Sequence, residues 1–492
     1  MIHAKAYYLD LFGVSVPLLE QLVATGLSSG GNWCDLFFEN TSYGQLSLRD
    51  GAVTSGGLHA DYGVGIRTLC GEKTGYAYAE TTRPEDMLAA ARSAALIAEG
   101  RGGNAGLVAE TGVPSAANGA RMVKRTYSGE PNPAADRYPV RIPWRSTPPE
   151  KLVAFLDKLE AAIRAKDTRI VKVMAMLSYQ VTDVLMYNSF AEIKYDTRPL
   201  GSVSATVIFE AGGRRENKSV SKSFRCGVEM LSDELIAQMA EDAVRGVDAL
   251  FEAGRPQGGQ MSVVMGAGAS GILLHEAMGH AFEADFNRKG QSVFSDKMGQ
   301  RICARGIHIF DNATIKACRG SLNYDDEGVP GQKTYMVEDG VLTSYLHDRI
   351  SARCYGVSPT GNGRRESFRY APIPRMRATG MEGGSANPAD IIASVRRGIY
   401  VNEFANGQVK IGEGDFTFFV KSGFLIEDGR LTRPIKDINV IGNGPEALSQ
   451  ISMVGNDPKM DDGAWTCGKE QSVPVSCGIP TVLVDQLTVG GD

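Results

Sequence analysis

Ser262-Val-Val-Met-Gly-Ala-Gly-Ala-Ser-Gly-Ile-Leu-Leu-His-Glu-Ala-Met-Gly-His280 admits two incompatible architectures, and choosing between them decides the fold. Gly266, Gly268 and Gly271 follow an apolar run and formally match the Gly-x-Gly-x-x-Gly fingerprint of a dinucleotide-binding turn, with Asp285 nineteen positions beyond Gly266. That fingerprint requires a βαβ unit, whereas the residues after this stretch look like charged loop and hairpins. The glycines suit instead a tight strand-to-helix turn. Such a turn brings a helix start close to a strand and leaves backbone N–H groups able to meet an oxyanion or a substrate carboxylate.

His275, Glu276 and His280 close the stretch, and two of the six histidines of the chain sit here. Imidazole nitrogens are common zinc ligands, and a carboxylate beside the first can take a proton from a water on the metal. The familiar zinc-protease motif has two residues between Glu and the second His, whereas three stand here: Ala277, Met278 and Gly279. In a regular helix an i,i+4 pair is about 40° apart and an i,i+5 pair about 140°. A regular helix would splay the two ligands, so the spacing predicts a helical distortion at Gly279, where a missing Cβ tolerates a widened turn or a helix end. The alternative is a buried helix whose two histidines only satisfy hydrogen bonds.

At 492 residues the chain exceeds what one core usually serves, so two domains are expected. A net charge of -5 argues against a nucleic-acid-binding surface. The eight cysteines are scattered with no Cys-x-x-Cys pair, as in a reducing compartment. Charges interrupt the first residues, and no run of eighteen apolar residues occurs, so a cytoplasmic protein without a membrane partner is expected.

Around the motif the expected fold class is α+β. Residues 1–254 form a mixed α/β domain, and residues 260–492 form a mainly β, barrel-like domain that carries the metal-binding helix. Asp35-Leu-Phe-Phe-Glu39 and Leu46-Ser-Leu-Arg49 look like strands, with Asp50-Gly51 a hairpin turn. A helix is predicted from Pro84 to Ala98, then an irregular excursion over 101–148. Thr147 and Glu150 look like a capping box for a helix with Leu152, Leu156, Leu159 and Ile163 on one face. Short β segments follow at 169–176, 184–187, 192–196 and 203–209, then a helix from Ser232 to about Glu252 and a linker over 254–259. Tyr335–Thr343 and Phe424–Thr432 each read as a strand, an Asp-Gly turn and a second strand.

Together, His275-Glu-Ala-Met-Gly-His280, Phe286-Asn-Arg-Lys-Gly290, Gly361-Asn-Gly-Arg-Arg-Glu-Ser367, Gln450-Ile-Ser-Met-Val-Gly-Asn456 and Cys467-Gly-Lys-Glu470 resemble the TldD/PmbA family of zinc metallopeptidases. They are similar to its metal-bearing TldD side rather than to the TldE (PmbA) partner, which lacks the motif. The resemblance implies zinc held by His275, His280 and Cys467, with Glu276 activating the water. It also implies peptide substrates and a homodimer or a heterodimer with a TldE/PmbA-like subunit. Here Glu470 joins Gln471 directly where the family pattern has a glycine, and Cys477 competes for the third ligand position.

Further candidates are His347 as an approach to the zinc, Arg364 and Arg365 as clamps on a carboxylate or on backbone carbonyls, and Glu283 and Asp285 as partners of metal-bound imidazoles. The strands suit peptide capture by strand addition. No residue is named for the oxyanion. The expected reaction is peptide hydrolysis. The competing functions are a non-catalytic scaffold or partner subunit, and a zinc enzyme that acts on modified peptides without cutting the main chain.

Overall fold

A six-stranded antiparallel sheet organises the N-terminal half. Its strands are β1 (Trp33–Arg49), β2 (Ala52–Cys70), β3 (Lys73–Ala79), β4 (Ile170–Asn188), β5 (Ile193–Ala211) and β6 (Arg214–Phe224), ordered β3-β2-β1-β4-β5-β6. The computed structural model describes residues 3–99, 137–268, 270–410 and 412–490, so most of the excursion expected over 101–148 lies outside the described residues. The four short β segments expected between 169 and 209 are two continuous strands, β4 and β5. Polar Ser178 and Gln180 interrupt the apolar pattern, yet their backbones stay paired with Ser202 and Leu200, because ladder hydrogen bonds do not depend on side-chain polarity. Asp50 and Gly51 join β1 to β2 at φ +50° and +77°, the positive values that a two-residue hairpin turn demands.

Five helices cover one face of this sheet: α1 (Lys5–Phe12), α2 (Val16–Gly26), α3 (Pro84–Glu99), α4 (Pro149–Arg164) and α5 (Asp233–Val244). The first three pack on Leu36, Phe38, Val64, Ile66, Leu185 and Tyr187, and the last two on Val173, Leu177, Val203, Val207 and Phe209. Leu152, Leu156, Leu159 and Ile163 of α4 are buried as the periodicity requires, but the Thr147 capping box does not form. Pro148 takes the cap position, and the Thr147 hydroxyl donates instead to the Pro143 carbonyl at 2.9 Å. Ser232 caps α5, its hydroxyl accepting the Leu235 N–H at 3.2 Å. The single helix expected to run to Glu252 is two: Gly246, at φ +76°, breaks it and starts a second short helix, Val247–Glu252.

In the C-terminal half, β7 (Gly259–Met265), β8 (Arg397–Val409), β9 (Asp415–Glu427), β10 (Ile438–Asn443) and β11 (Val482–Gly490) form a closed barrel. Pairing runs β8-β7-β11-β10-β9, and β9 returns to β8 to complete the ring. Val263, Ile399, Val401, Phe418, Val420 and Val440 fill its interior, and the same core takes in Leu273, Leu274, Met278 and Phe282 from the motif segment. Apolar burial therefore seats that segment on the barrel. The hairpins at 335–343 and 424–432 form as expected, turning through Asp339-Gly340 and Asp428-Gly429 with positive φ at all four residues. A second six-stranded sheet includes Ile309–Asn312, Ala378–Met381 and Ser476–Ile479.

The uncovered face of the N-terminal sheet meets the C-terminal half. Phe37, Val184 and Met186 pack against Tyr324 and Phe368. Beside them the fully buried Arg67 guanidinium lies 2.6 Å from Asp35 on the neighbouring strand and 2.6 Å from Glu327 across the junction. Among the described residues no single helix is long and apolar enough to cross a membrane.

Candidate metal centre

The strand β7 ends at Met265, and a glycine-rich turn leads into one α-helical turn, Gly271–Leu274. At Gly271 the helix lies tight against the strand Ser476–Ile479, since a Cβ there would lie 2.5 Å from the Gly478 backbone nitrogen. The glycines thus serve packing, and no βαβ unit follows: the parallel partner of β7, β8, begins only at Arg397. From His275 to Gly279 the helix widens into a π turn, then tightens to a 3-10 turn at His280–Phe282. The distortion expected around Gly279 is this π turn. Its i→i+5 hydrogen bond runs from the His280 N–H to the His275 carbonyl, so residues five apart stack on one face.

The hairpin Thr466–Lys469 and Gln471–Pro474 brings Cys467 to the same place. One ligand atom from each of His275, His280 and Cys467 lies within 4.8 Å of the others, and all three residues are buried. Cys467 Sγ is 3.2 Å from His280 Nε2, although the residues are 187 apart in sequence. Tetrahedral zinc with ordinary N and S bonds has ligand-to-ligand edges of about 3.4–3.6 Å, so the cluster fits the ion in size. It also fits in chemistry. Neither ring nitrogen of buried His275 has a hydrogen-bond partner among the described residues, a costly state for an imidazole that a metal bond relieves. Burial pushes the Cys467 thiol up, but the imidazoles of His275 and His280 outweigh it and bring it down to about 4, so the sulfur is the anionic donor that zinc prefers.

Glu276 is partly exposed beside this cluster, its Oε2 3.9 Å from His280 Nε2. Behind the cluster, His280 Nδ1 lies 2.9 Å from Oε2 of the fully buried Glu283. Lys469 Nζ donates to Glu283 at 2.9 Å, to Asp285 at 3.0 Å and to the Pro374 carbonyl at 3.1 Å. Burial would raise the Glu283 carboxyl, but Lys469, His280 and Arg375 hold it well below the usual carboxylate range. Arg375, also fully buried, donates to the Cys467 carbonyl at 2.8 Å and to the Gln471 carbonyl at 2.7 Å, clamping the hairpin. Of the two acids singled out in the sequence, Glu283 meets the imidazole and Asp285 meets Lys469. Lys469 and Arg375 carried no local signal, although Lys469 stands two residues from Cys467.

The remaining candidates lie elsewhere. Cys477 is in the strand Ser476–Ile479, outside the ligand cluster, and burial pushes its thiol up. His347 faces Ser351 Oγ at 3.3 Å and the Tyr355 ring rather than the imidazole pair. Arg364 and Arg365 are buried away from the ligand cluster: Arg364 reaches the Met376 and Pro474 carbonyls, and Arg365 reaches the Asp326 carbonyl and the Tyr76 hydroxyl. Glu470 makes the hairpin turn at φ +56°, the left-handed conformation a glycine takes most easily.

Comparison with known proteins covers nearly the whole chain. Family models described as PmbA/TldA metallopeptidase match in order: domain 1 over residues 34–98, the central domain over 142–250 and the C-terminal domain over 258–491. The chain is 40% identical over 466 residues to the metalloprotease TldD homolog of Haemophilus influenzae, covering 94% of this chain and 93% of that one. It is 33% identical over 238 residues to the zinc metalloprotease TldD homolog of Saccharolobus solfataricus, covering 48% of this chain and 53% of that one. The crystal structure of TldE from Thermococcus kodakarensis superposes with a TM-score of 0.72 at 19% identity, covering 96% of this chain and 100% of that one.

Proposed function

Because the chain belongs to the TldD/PmbA family of metallopeptidases, we propose that it is a zinc-dependent peptidase that hydrolyses unfolded or flexible peptides. His275, His280 and Cys467 hold the ion and Glu276 is the general base. The convergence of the three ligand atoms within 4.8 Å carries the assignment, and the zinc named for the Saccharolobus relative supports the metal. Zinc bound there supplies Lewis-acid polarisation of the scissile carbonyl and makes a water acidic enough to be deprotonated near neutral pH.

The chain's own residues do the rest. The Glu276 carboxylate takes the water proton and returns it to the leaving amine. Glu283 fixes the ring of His280 through Nδ1, leaving Nε2 for the metal. Lys469 and Arg375 keep Glu283 ionised and hold the Cys467 hairpin against it. Peptide capture by strand addition suits an enzyme that reads backbone more than side chains.

We place the enzyme in the cytosol, with its eight cysteines unpaired. It acts as a homodimer or beside a TldE/PmbA-like subunit, for which the shared fold with TldE is the support. Incubating the purified chain with unstructured peptides, alone and with a TldE-type partner, tests this by mass spectrometry. Fragments from wild type but not from Glu276→Ala protein are expected. Intact peptides in every incubation would remove the peptidase assignment and favour a scaffold.

A further inference from the structure

We propose that Arg225, Arg319 and Arg364 form a carboxylate-binding site that anchors the peptide substrate in the cleft between the N-terminal sheet and the Cys467 hairpin. The proposal rests on the peptidase assignment above and adds a substrate class to it.

The cleft lies on the sheet face that the helices leave uncovered. One part is a cavity of about 430 Å³ lined by Tyr43, Gln180, Ser202 and Arg319. A smaller cavity of about 160 Å³ shares Tyr43 and Gln180 with it and is lined by Arg225 and Arg364. Arg319 Nε donates to the Trp465 carbonyl at 2.7 Å and its Nη2 to Thr466 Oγ1 at 3.2 Å. Those two residues immediately precede Cys467, so the cleft shares a wall with the hairpin that carries the metal ligand.

Three arginines here break the rule by which this protein buries guanidinium groups. Buried Arg67, Arg198, Arg365, Arg375 and Arg377 each face a carboxylate within 4.0 Å. Arg225, Arg319 and Arg364 are equally buried, yet among the described residues they meet only neutral acceptors. Arg225 donates to the Arg319 and Pro199 carbonyls, Arg319 to two serine hydroxyls besides the groups above, and Arg364 to the Met376 and Pro474 carbonyls. Asp326 in the smaller cavity acts on Arg364, and Asp196 on Arg225, only at longer range, and the burial of both arginines outweighs them. Asp326 is engaged by Arg198 and by the Arg365 N–H, and Glu366 by the Ser472 N–H. Burial pushes the Glu39 carboxyl up to about 7.

Buried cations without counter-ions are unfavourable, and burial lowers Arg319 to about 10 and Arg364 to about 9. An incoming carboxylate supplies the charge. Arg319 already uses four of its five N–H groups, so Arg225 and Arg364, which use two each, offer the carboxylate the donors while Arg319 adds positive charge. Either the free α-carboxylate at a peptide's end or an Asp or Glu side chain has this chemistry.

The test uses full-length, zinc-loaded Glu276→Gln protein and three dye-labelled peptides of one neutral sequence. The first has an amidated end, the second a free α-carboxylate, and the third an amidated end with one internal Asp. Fluorescence anisotropy should show the second or the third binding about tenfold tighter than the first, and which of them does so identifies the source. Adding Gln180→Glu, which sets a negative charge on the cleft wall without removing a buried arginine, should abolish that preference, as should Arg319→Gln. Equal affinity for all three peptides, no binding of any, or a preference that survives both substitutions would overturn the proposal. Peptide cleavage by wild-type protein is measured separately. Selective binding without cleavage would sink the peptidase assignment and leave the carboxylate site standing.

Discussion

Gly279 faces the sulfur of Met376, and a Cβ placed on Gly279 would lie 2.1 Å from that atom. Met376 is fully buried in the core under the π turn, so it cannot simply swing into solvent. Gly279→Ala should cost about 1–3 kcal/mol by overpacking and weaken metal binding by tilting His280. Thermal melting and a zinc titration check this, and adding Met376→Ala should restore part of the zinc affinity. Unchanged melting and unchanged affinity in the single variant would show that the core absorbs the extra methyl.

Cys467 and Glu276 should separate on different readouts. Cys467→Ala removes the one anionic ligand, so elemental analysis should find little zinc after dialysis. Glu276→Gln should keep its zinc and lose about 10²- to 10⁴-fold in activity, the range for a positioned proton-transfer group. Full metal content in the Cys467 variant would remove that residue from the ligand set.

Lys469→Met should leave the fully buried Glu283 without its closest cation. Breaking one side of a buried ion pair costs about 3–5 kcal/mol, and loss of support behind a ligating imidazole weakens metal binding about 10- to 100-fold. Asp285→Asn, which touches Lys469 but not His280, should do much less. Competition with a chromophoric chelator ranks the two, and equal losses would contradict the Lys469-Glu283-His280 relay.

Glu39 provides a test of pH dependence away from the metal centre. Its carboxyl accepts the Thr41 hydroxyl at 2.7 Å and the Phe368 N–H at 2.8 Å, and burial still pushes it up to about 7 from 4.5. The folded state therefore prefers the protonated acid. Its contribution is complete below about pH 4.5 and is lost as pH rises through about 7, a difference of up to about 3 kcal/mol. Glu39→Gln should match wild type near pH 4.5 and exceed it at pH 9 in urea unfolding. Parallel curves across that range would show that Glu39 ionises freely in the fold.

What could be read from sequence divides along the distance over which each feature is determined. A distortion at Gly279 was legible because five-residue spacing of two candidate ligands is a local misfit to 3.6 residues per turn. The Asp-Gly hairpins were legible because two adjacent residues set the backbone. Cys467 was not, since its selection from eight cysteines depends on a hairpin that folds back across 187 residues, and only the family resemblance named it. Lys469 and Arg375 stayed hidden for the same reason. The split at Gly246 and the missing Thr147 cap were local errors: a helical hydrophobic period continues through a glycine break, and Pro148 displaced the expected cap.

Closure of the barrel sets the order in which the metal site is assembled during synthesis. β7 is made before its two partners, β8 and β11, and the second of these starts at Val482. A nascent chain that has emerged only as far as the first histidine pair holds neither a complete donor set nor a closed wall behind it. The donor set is therefore complete only once the hairpin at 466–474 has been made, and the barrel wall only once the strand through residue 490 has paired with β7. On the reading proposed above, an unfinished chain therefore lacks the donor set it would need to cut the unfolded polypeptides around it.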